Sequence, residues 1–168
     1  MTEDIFNPLL LSLLGDREVR DGVKIVPITQ AGSNRQYFRI IVGMETYIGV
    51  VGTSREENHA FVSLARHFAE RGLNVPKVLA VSDDETVYIQ EDLGTQSLYD
   101  AISDGRGHSG DYSEEEIKLL EGTIAALPRF QTEGGKGLDY SVCYPQPEFD
   151  ERNIMFDLNY FKYCFLKQ

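Results

Sequence analysis

Three short, apolar-rich runs follow one another with little chain between them: residues 24–28 (Lys-Ile-Val-Pro-Ile), 36–42 (Gln-Tyr-Phe-Arg-Ile-Ile-Val) and 46–51 (Thr-Tyr-Ile-Gly-Val-Val). Their composition is that of strands, and strands joined by turns this short run antiparallel, so the fold has to begin as a meander. Residues 43–45 make one turn, and Gly32, Ser33 and Asn34 make the other. Glycine admits backbone conformations that other residues resist, and short polar side chains stabilise turns. The same groups can lie over phosphate oxygens, although Gly-Ser-Asn is also an ordinary hairpin composition.

A helix is predicted over residues 56–71, with Phe61, Leu64, Ala65 and Phe68 as its apolar stripe and Gly72 in the stop position. Ser54 is its expected cap, and Glu57, three residues on, completes a capping-box pattern. A fourth strand is expected over 75–81, where Pro76 confines it to a strand start or an edge. After the polar turn 82–85 comes a fifth strand, in which apolar and polar residues alternate from Val87 to Gln90 and which stops in Glu91-Asp92-Leu93-Gly94. The expected first part is therefore a five-stranded antiparallel sheet with one crossing helix. A strand that ends in an extended turn and feeds a helix makes a hinge, and its unpaired N–H and C=O groups suit the donor and acceptor edge of a purine. A strand end with a solvated acidic turn has the same local pattern, and this stretch alone leaves both readings open.

Ahead of the sheet, residues 5–14 form an amphipathic helix, with Asn7 as cap, Pro8 in the first turn and Gly15 as the stop. After the hinge, Leu98 and Ile102 stand at helical spacing, and residues 105–110 read as a glycine-rich loop in which His108 is solvated. Ser113 and Glu116 make a second capping box, opening a helix with the stripe Ile117, Leu120, Ile124 and Leu127, which Pro128 follows. Residues 140–147 are extended and aromatic, and 148–167 read as a helix or a broken pair. The chain stops inside that apolar run. The expectation is a piece of a longer protein whose uncovered end, residues 156–166, promotes self-association.

The chain has 168 residues, enough for one domain or two small lobes, and 42% are hydrophobic, enough for a core. A formal net charge of −11 argues against a nucleic-acid partner, which requires clustered Lys and Arg, but leaves room for a single nucleotide held by backbone N–H groups. Cys143 and Cys164 lack zinc-ligand spacing and read as free thiols of a reducing compartment. There is no secretory signal pattern and no run of membrane-spanning length, so a cytoplasmic protein without a membrane partner is expected.

Three stretches carry a resemblance. Ala31-Gly-Ser-Asn-Arg-Gln-Tyr-Phe-Arg-Ile40 resembles the nucleotide-positioning loop of the aminoglycoside phosphotransferase family, which shares the protein-kinase-like fold. Gly72-Leu-Asn-Val-Pro-Lys-Val-Leu-Ala80 resembles that family's link from the crossing helix into the fourth strand. Tyr88-Ile-Gln-Glu-Asp-Leu-Gly94 resembles its hinge, most closely in members that phosphorylate amino sugars of the cell wall. The resemblance covers about residues 23–98 and implies an α+β fold: a kinase-like small lobe over 1–94, then the helical beginning of a truncated large lobe over 95–168. It also implies transfer of the ATP γ-phosphoryl group to a hydroxyl of a sugar, amino sugar, aminoglycoside or choline-like alcohol, with Mg²⁺ as companion and metal ligands expected beyond the chain's end. Carried over by position, Gly32, Ser33 and Asn34 close over the phosphates, and the backbone of Glu91 and Leu93 bonds adenine. Ile48, Val50, Val78 and Ile89 line the adenine pocket, and Glu57 is the candidate acid that holds a phosphate-binding lysine, with a helix cap as its alternative role.

Two departures follow from the residues. The strand that carries the lysine in that family reads Tyr47-Ile-Gly-Val-Val51 here, and Arg39 on the neighbouring strand is the candidate replacement charge. Kinase-type transfer also uses an Asp that orients the hydroxyl, an Asn and a metal-binding Asp. The family's H-x-D-x-x-x-x-N pattern does not occur, and Glu148-Phe-Asp-Glu-Arg-Asn153 only mimics its spacing within a helical context. The alternative expectation is therefore a nucleotide-binding pseudokinase or regulatory module without catalysis.

Overall fold

The chain opens with α1 (Thr2–Leu14), and the computed structural model describes residues 2–15, 22–29, 34–108 and 110–167. Helix α1 begins well ahead of its Asn-Pro signal and carries Pro8 inside it. Proline has no N–H to give the helix ladder, a loss that helices tolerate only with tertiary compensation. That compensation is burial: Phe6 and Leu10, one turn apart, are fully buried against Ile40, Val42, Val87 and Ile89 of the sheet.

The meander forms as expected, with β1 (Val23–Ile28), β2 (Gln36–Val42) and β3 (Glu45–Val51) each antiparallel to the next. Helix α2 (Arg55–Glu70) follows, with the Ser54 hydroxyl accepting from the Glu57 N–H at 3.2 Å. It leads to β4 (Val78–Val81) and β5 (Val87–Glu91), giving a five-stranded antiparallel sheet in the order β1-β2-β3-β5-β4. The fourth strand is shorter than the expected 75–81. Residues 75–77 stay outside the ladder, because Pro76 has no N–H to give it.

Side-chain alternation assigns the two faces. Ile40, Val42, Val87 and Ile89 point to α1, whereas Ile48, Val50 and Tyr88 point to α2, where Val62 and Phe61 cover them. Gly49 lies on the α1 face, where Phe6 sits so close that an added Cβ would come within 2.6 Å of its ring. Residue 49 is thus the point at which α1 seats on the sheet.

Beyond the sheet come α3 (Leu98–Ala101), α4 (Ser103–Gly107), α5 (Glu114–Thr132), a short 3-10 turn (Tyr140–Val142), α6 (Glu151–Phe161) and a wider terminal turn (Lys162–Leu166). Two expectations are corrected. Residues 103–107 are helical rather than loop, because the buried Glu116 carboxylate accepts the Gly105 N–H at 2.9 Å while also accepting that of Ser113 at 2.9 Å. Helix α5 runs through Pro128 to Thr132, because Phe130 packs edge-on against Phe68 of α2 at 5.8 Å. The end of α2 anchors this region further: His67 Nε2 lies 2.7 Å from the Gly134 carbonyl, and Arg71 donates to the Lys136 carbonyl. His108 is exposed, with Nδ1 against the Asp104 carbonyl. The apolar residues of α5 and α6 are largely uncovered, with Ile124 65% and Phe156 70% exposed. Among the described residues, no helix is long and apolar enough to cross a membrane.

Candidate functional site

Strand β5 leaves the sheet at Glu91, whose N–H donates to the Lys77 carbonyl at 3.0 Å and whose carboxylate accepts the Lys77 N–H at 3.0 Å. Past this lock the chain swings outward. Leu93 is 72% exposed, and Gly94 takes a left-handed φ of 97°, a conformation that favours glycine. Asp92 turns back instead. Its side chain is 4% exposed, and its carboxylate accepts Arg39 Nε at 2.6 Å, Arg39 Nη2 at 3.1 Å and the Gly94 N–H at 2.9 Å. Arg39 Nη2 also donates to the Gly94 carbonyl at 3.0 Å, so β2 clamps the turn from both sides. Burial pushes the Asp92 pKa up, but the hydrogen bonds from Arg39, Gly94 and Thr46 outweigh it and hold the carboxyl below its ordinary range. Among the described residues, the Leu93 N–H donates to nothing.

The clamped turn forms one wall of a cavity of about 450 Å³. Ile28, Tyr37, Arg39 and Ile48 supply the sheet wall, and residues 92–95 supply the rim. A second cavity, of about 510 Å³, shares Ile28 and Tyr37 with the first and continues to Arg35. This second cavity lies at the end of β1 and β2, where Pro27, Thr29, Gln36 and Phe38 also line it. Arg35 Nη2 lies 3.1 Å from the Glu57 carboxylate and donates to the Glu57 carbonyl at 3.0 Å, and its guanidinium stands 5.4 Å from the centre of the Phe61 ring.

The expected site residues fall as follows. Ile48, Arg39 and Leu93 meet at the first cavity. Glu91 precedes the rim residue Asp92, and its N–H is already used on the Lys77 carbonyl. Val78 packs in the cluster of Ile48, on the same side of the sheet. Val50 belongs to that cluster too, but it is fully buried beneath α2 and cannot reach a ligand in the first cavity. Ile89 is corrected outright: it pairs with Gly49, faces α1 and is fully buried, on the opposite side of the sheet from Ile48. The Glu57 N–H donates to the Ser54 hydroxyl, whereas its carboxylate reaches Arg35 rather than a lysine. Asn34 is exposed, and Gly32 and Ser33 lie outside the described residues. In the segment 148–153, Asp150 caps α6 by accepting the Asn153 N–H at 3.0 Å, and Asn153 Nδ2 donates to the Glu148 carbonyl, so this acid-to-Asn spacing serves a helix end.

Sequence reasoning missed two residues. Asp92 reads as part of an acidic turn until its partner on β2 is known. Arg35 reads as turn composition, although Glu57 and Phe61 stand four apart on α2 and so present an acid and an aromatic ring on one helix face, a platform for a guanidinium. Among the described residues, no group of three or more His, Cys, Asp or Glu side chains is placed to hold a metal ion. No protein-family model matches the chain, and no match is found among curated proteins.

Proposed function

We propose that the first cavity takes a purine nucleotide, and that the chain is the nucleotide-binding, kinase-like part of an ATP-dependent phosphotransferase acting on the hydroxyl of a small molecule such as a sugar, amino sugar, aminoglycoside or choline-like alcohol. One observation carries this reading: the unpaired Leu93 N–H and the strand-terminal Glu91 carbonyl sit two residues apart on a clamped turn, beside a cavity with apolar walls from Ile28 and Ile48. A base offers one acceptor and one donor along an edge and apolar faces above and below it, and pockets of a few hundred cubic ångströms with few polar anchors suit such ligands. In this reading Glu91 accepts from the base, Leu93 donates to it, and Ile28 and Ile48 cover its faces. In phosphoryl transfer of this class the protein contributes mainly positioning and charge stabilisation. In this reading Mg²⁺ enters as the companion of ATP.

A second reading, a nucleotide-binding module without catalysis, is favoured by Val50. On the face where the family places its lysine, the strand has a buried valine under α2. The two readings share the cavity and separate on chemistry. Isothermal titration of the protein with Mg²⁺-ATP is expected to show saturable binding, and Leu93→Pro, which removes the N–H, is expected to weaken it by about 1 kcal/mol. Incubation with γ-labelled ATP and a panel of sugars and amino alcohols then separates them, because labelled product supports the phosphotransferase and binding without product supports the module. Absence of binding at millimolar ATP overturns both.

A further inference from the structure

We propose that the open face of α6 is a self-association surface, through which two copies of this chain pair in parallel along a seam of Ile154, Leu158, Phe161 and Phe165. The inference stands apart from the nucleotide reading and uses neither cavity at the sheet.

The spacing sets the seam. These four residues follow one another at intervals of four, three and four, the alternation by which apolar side chains of one helix meet those of another in a coiled coil. The row continues through the wider terminal turn, because the Phe161 and Phe165 rings are stacked with centres 5.1 Å apart. Helix α6 also carries apolar residues away from the seam, and the structure separates the two faces. Arg152, Met155, Phe156 and Asn159 line a cavity of about 620 Å³ together with Pro145 and Gln146. At 3.6 residues per turn the seam falls on the opposite side of the helix. Its residues belong to neither core cluster, and they are exposed: Ile154 43%, Leu158 56%, Phe161 50% and Phe165 71%.

Charge selects the occupant and its direction. Residues 151–167 carry Arg152, Lys162 and Lys167 against Glu151 and Asp157, a balance of +1 in a chain of −11, so a second copy meets this face where mutual repulsion is least. Asp157 directly precedes Leu158 and Lys162 directly follows Phe161, so the two charges flank the seam on opposite sides. In a parallel pair each flank meets the opposite flank of the other copy five residues on, and two-fold symmetry sets Asp157 against Lys162 twice. In an antiparallel pair each flank meets its own kind and like charges face one another. Both charges are available for this. Among the described residues Asp157 has no hydrogen-bond or ion-pair partner, and Lys162 only stands 5.4 Å from the centre of the Tyr163 ring. Glu151, three residues before Ile154, ends the seam with a charge. Half-exposed aromatic and aliphatic side chains in one row leave roughly 400 Å² of apolar surface per copy, a patch of interaction size. That is short of the ~800 Å² per partner of a stable complex, so the pair is weak and reversible.

Sedimentation equilibrium of the full chain from about 10 µM to about 1 mM reads the assembly. A monomer–dimer equilibrium is expected, with a dissociation constant on the order of 100 µM. Leu158→Glu is expected to weaken it at least about tenfold with an unchanged circular-dichroism spectrum. Should that variant not fold, Phe165→Ser, at the most exposed end of the seam, takes its place. Asp157→Lys and Lys162→Asp are each expected to weaken the dimer several-fold, the double variant to recover it, and the two single variants, mixed, to pair with each other. A wild-type chain that stays monomeric across the range, species that grow past the dimer, or a dimer indifferent to both seam variants overturns the surface. Single charge variants that dimerise as the wild type does overturn the parallel pairing.

Discussion

Replacing Arg39 with Met removes the clamp on the hinge while keeping most of the side-chain volume. The Asp92 side chain, 4% exposed, would lose the contacts at 2.6 and 3.1 Å and keep the Gly94 N–H at 2.9 Å. Breaking a buried ion pair from one side costs about 3–5 kcal/mol, because a charge is left without its partner. Arg39 is a quarter exposed, so water screens part of the interaction, and the expected penalty at pH 7 falls to about 2 kcal/mol. The pH dependence follows from the Asp92 carboxyl. Its folded pKa is lowered, so its stabilising contribution is full above the ordinary carboxylate value of about 3.9 and disappears as the pH drops through the lower folded value. Urea denaturation of wild type, Arg39→Met, Asp92→Asn and the double variant, at pH 7 and again in acid, measures this directly. The double variant should be less destabilised than the sum of the singles by about 1 kcal/mol or more, and the Arg39→Met penalty should shrink below about pH 4. A penalty under about 0.5 kcal/mol at pH 7, or one that does not change in acid, would refute the clamp.

Three further substitutions probe the frame around the cleft. Gly49→Val places a branched side chain where Phe6 and Ile40 already lie within 2.8 Å of the position its Cβ would take, and is expected to destabilise by about 1–3 kcal/mol and to expose α1 to limited proteolysis. Phe6→Ala empties the same site from the helix side and should cost about 3–5 kcal/mol in denaturant titration, with the sheet's circular-dichroism signal retained in native buffer. The Gln90 Oε1 atom is buried and accepts no hydrogen bond among the described residues, so Gln90→Met should raise the denaturation midpoint, by about 1 kcal/mol of stability.

How far the sequence reaches is visible in particular elements. The meander, α2 and β5 were legible because short turns, alternating residues and the Ser54 cap are local signals, each formed within a few residues of chain. The same holds for the Ser113–Glu116 capping box, which appears with both of its bonds in place. What the local pattern missed depends on partners far along the chain. Helix α4 exists because Glu116 reaches back to Gly105, and α5 passes Pro128 because Phe130 finds Phe68. Proline punctuation misplaced the start of α1, since the burial of Phe6 and Leu10 outweighs one missing hydrogen bond. At the site, the five-strand pattern located the turn after β5, but strand period alone did not say which helix each face of β5 meets. Ile89 falls on the α1 side, and only the pairing with Gly49 settles that. The charges were the least legible: Arg39 is joined to Asp92 across 53 residues and Arg35 to Glu57 across 22, and only the spacing of Glu57 and Phe61 pointed to either contact.

The account depends on the hinge turn meeting a purine, and the Leu93 amide reports on that contact. In a two-dimensional ¹⁵N–¹H spectrum titrated with adenosine, the Leu93 and Gly94 amides are expected to shift saturably and together with Ile48, while amides of α1 such as those of Phe6 and Leu10, across the sheet, move least. Saturable shifts confined to residues away from 91–94, or no shift at millimolar adenosine, would contradict it.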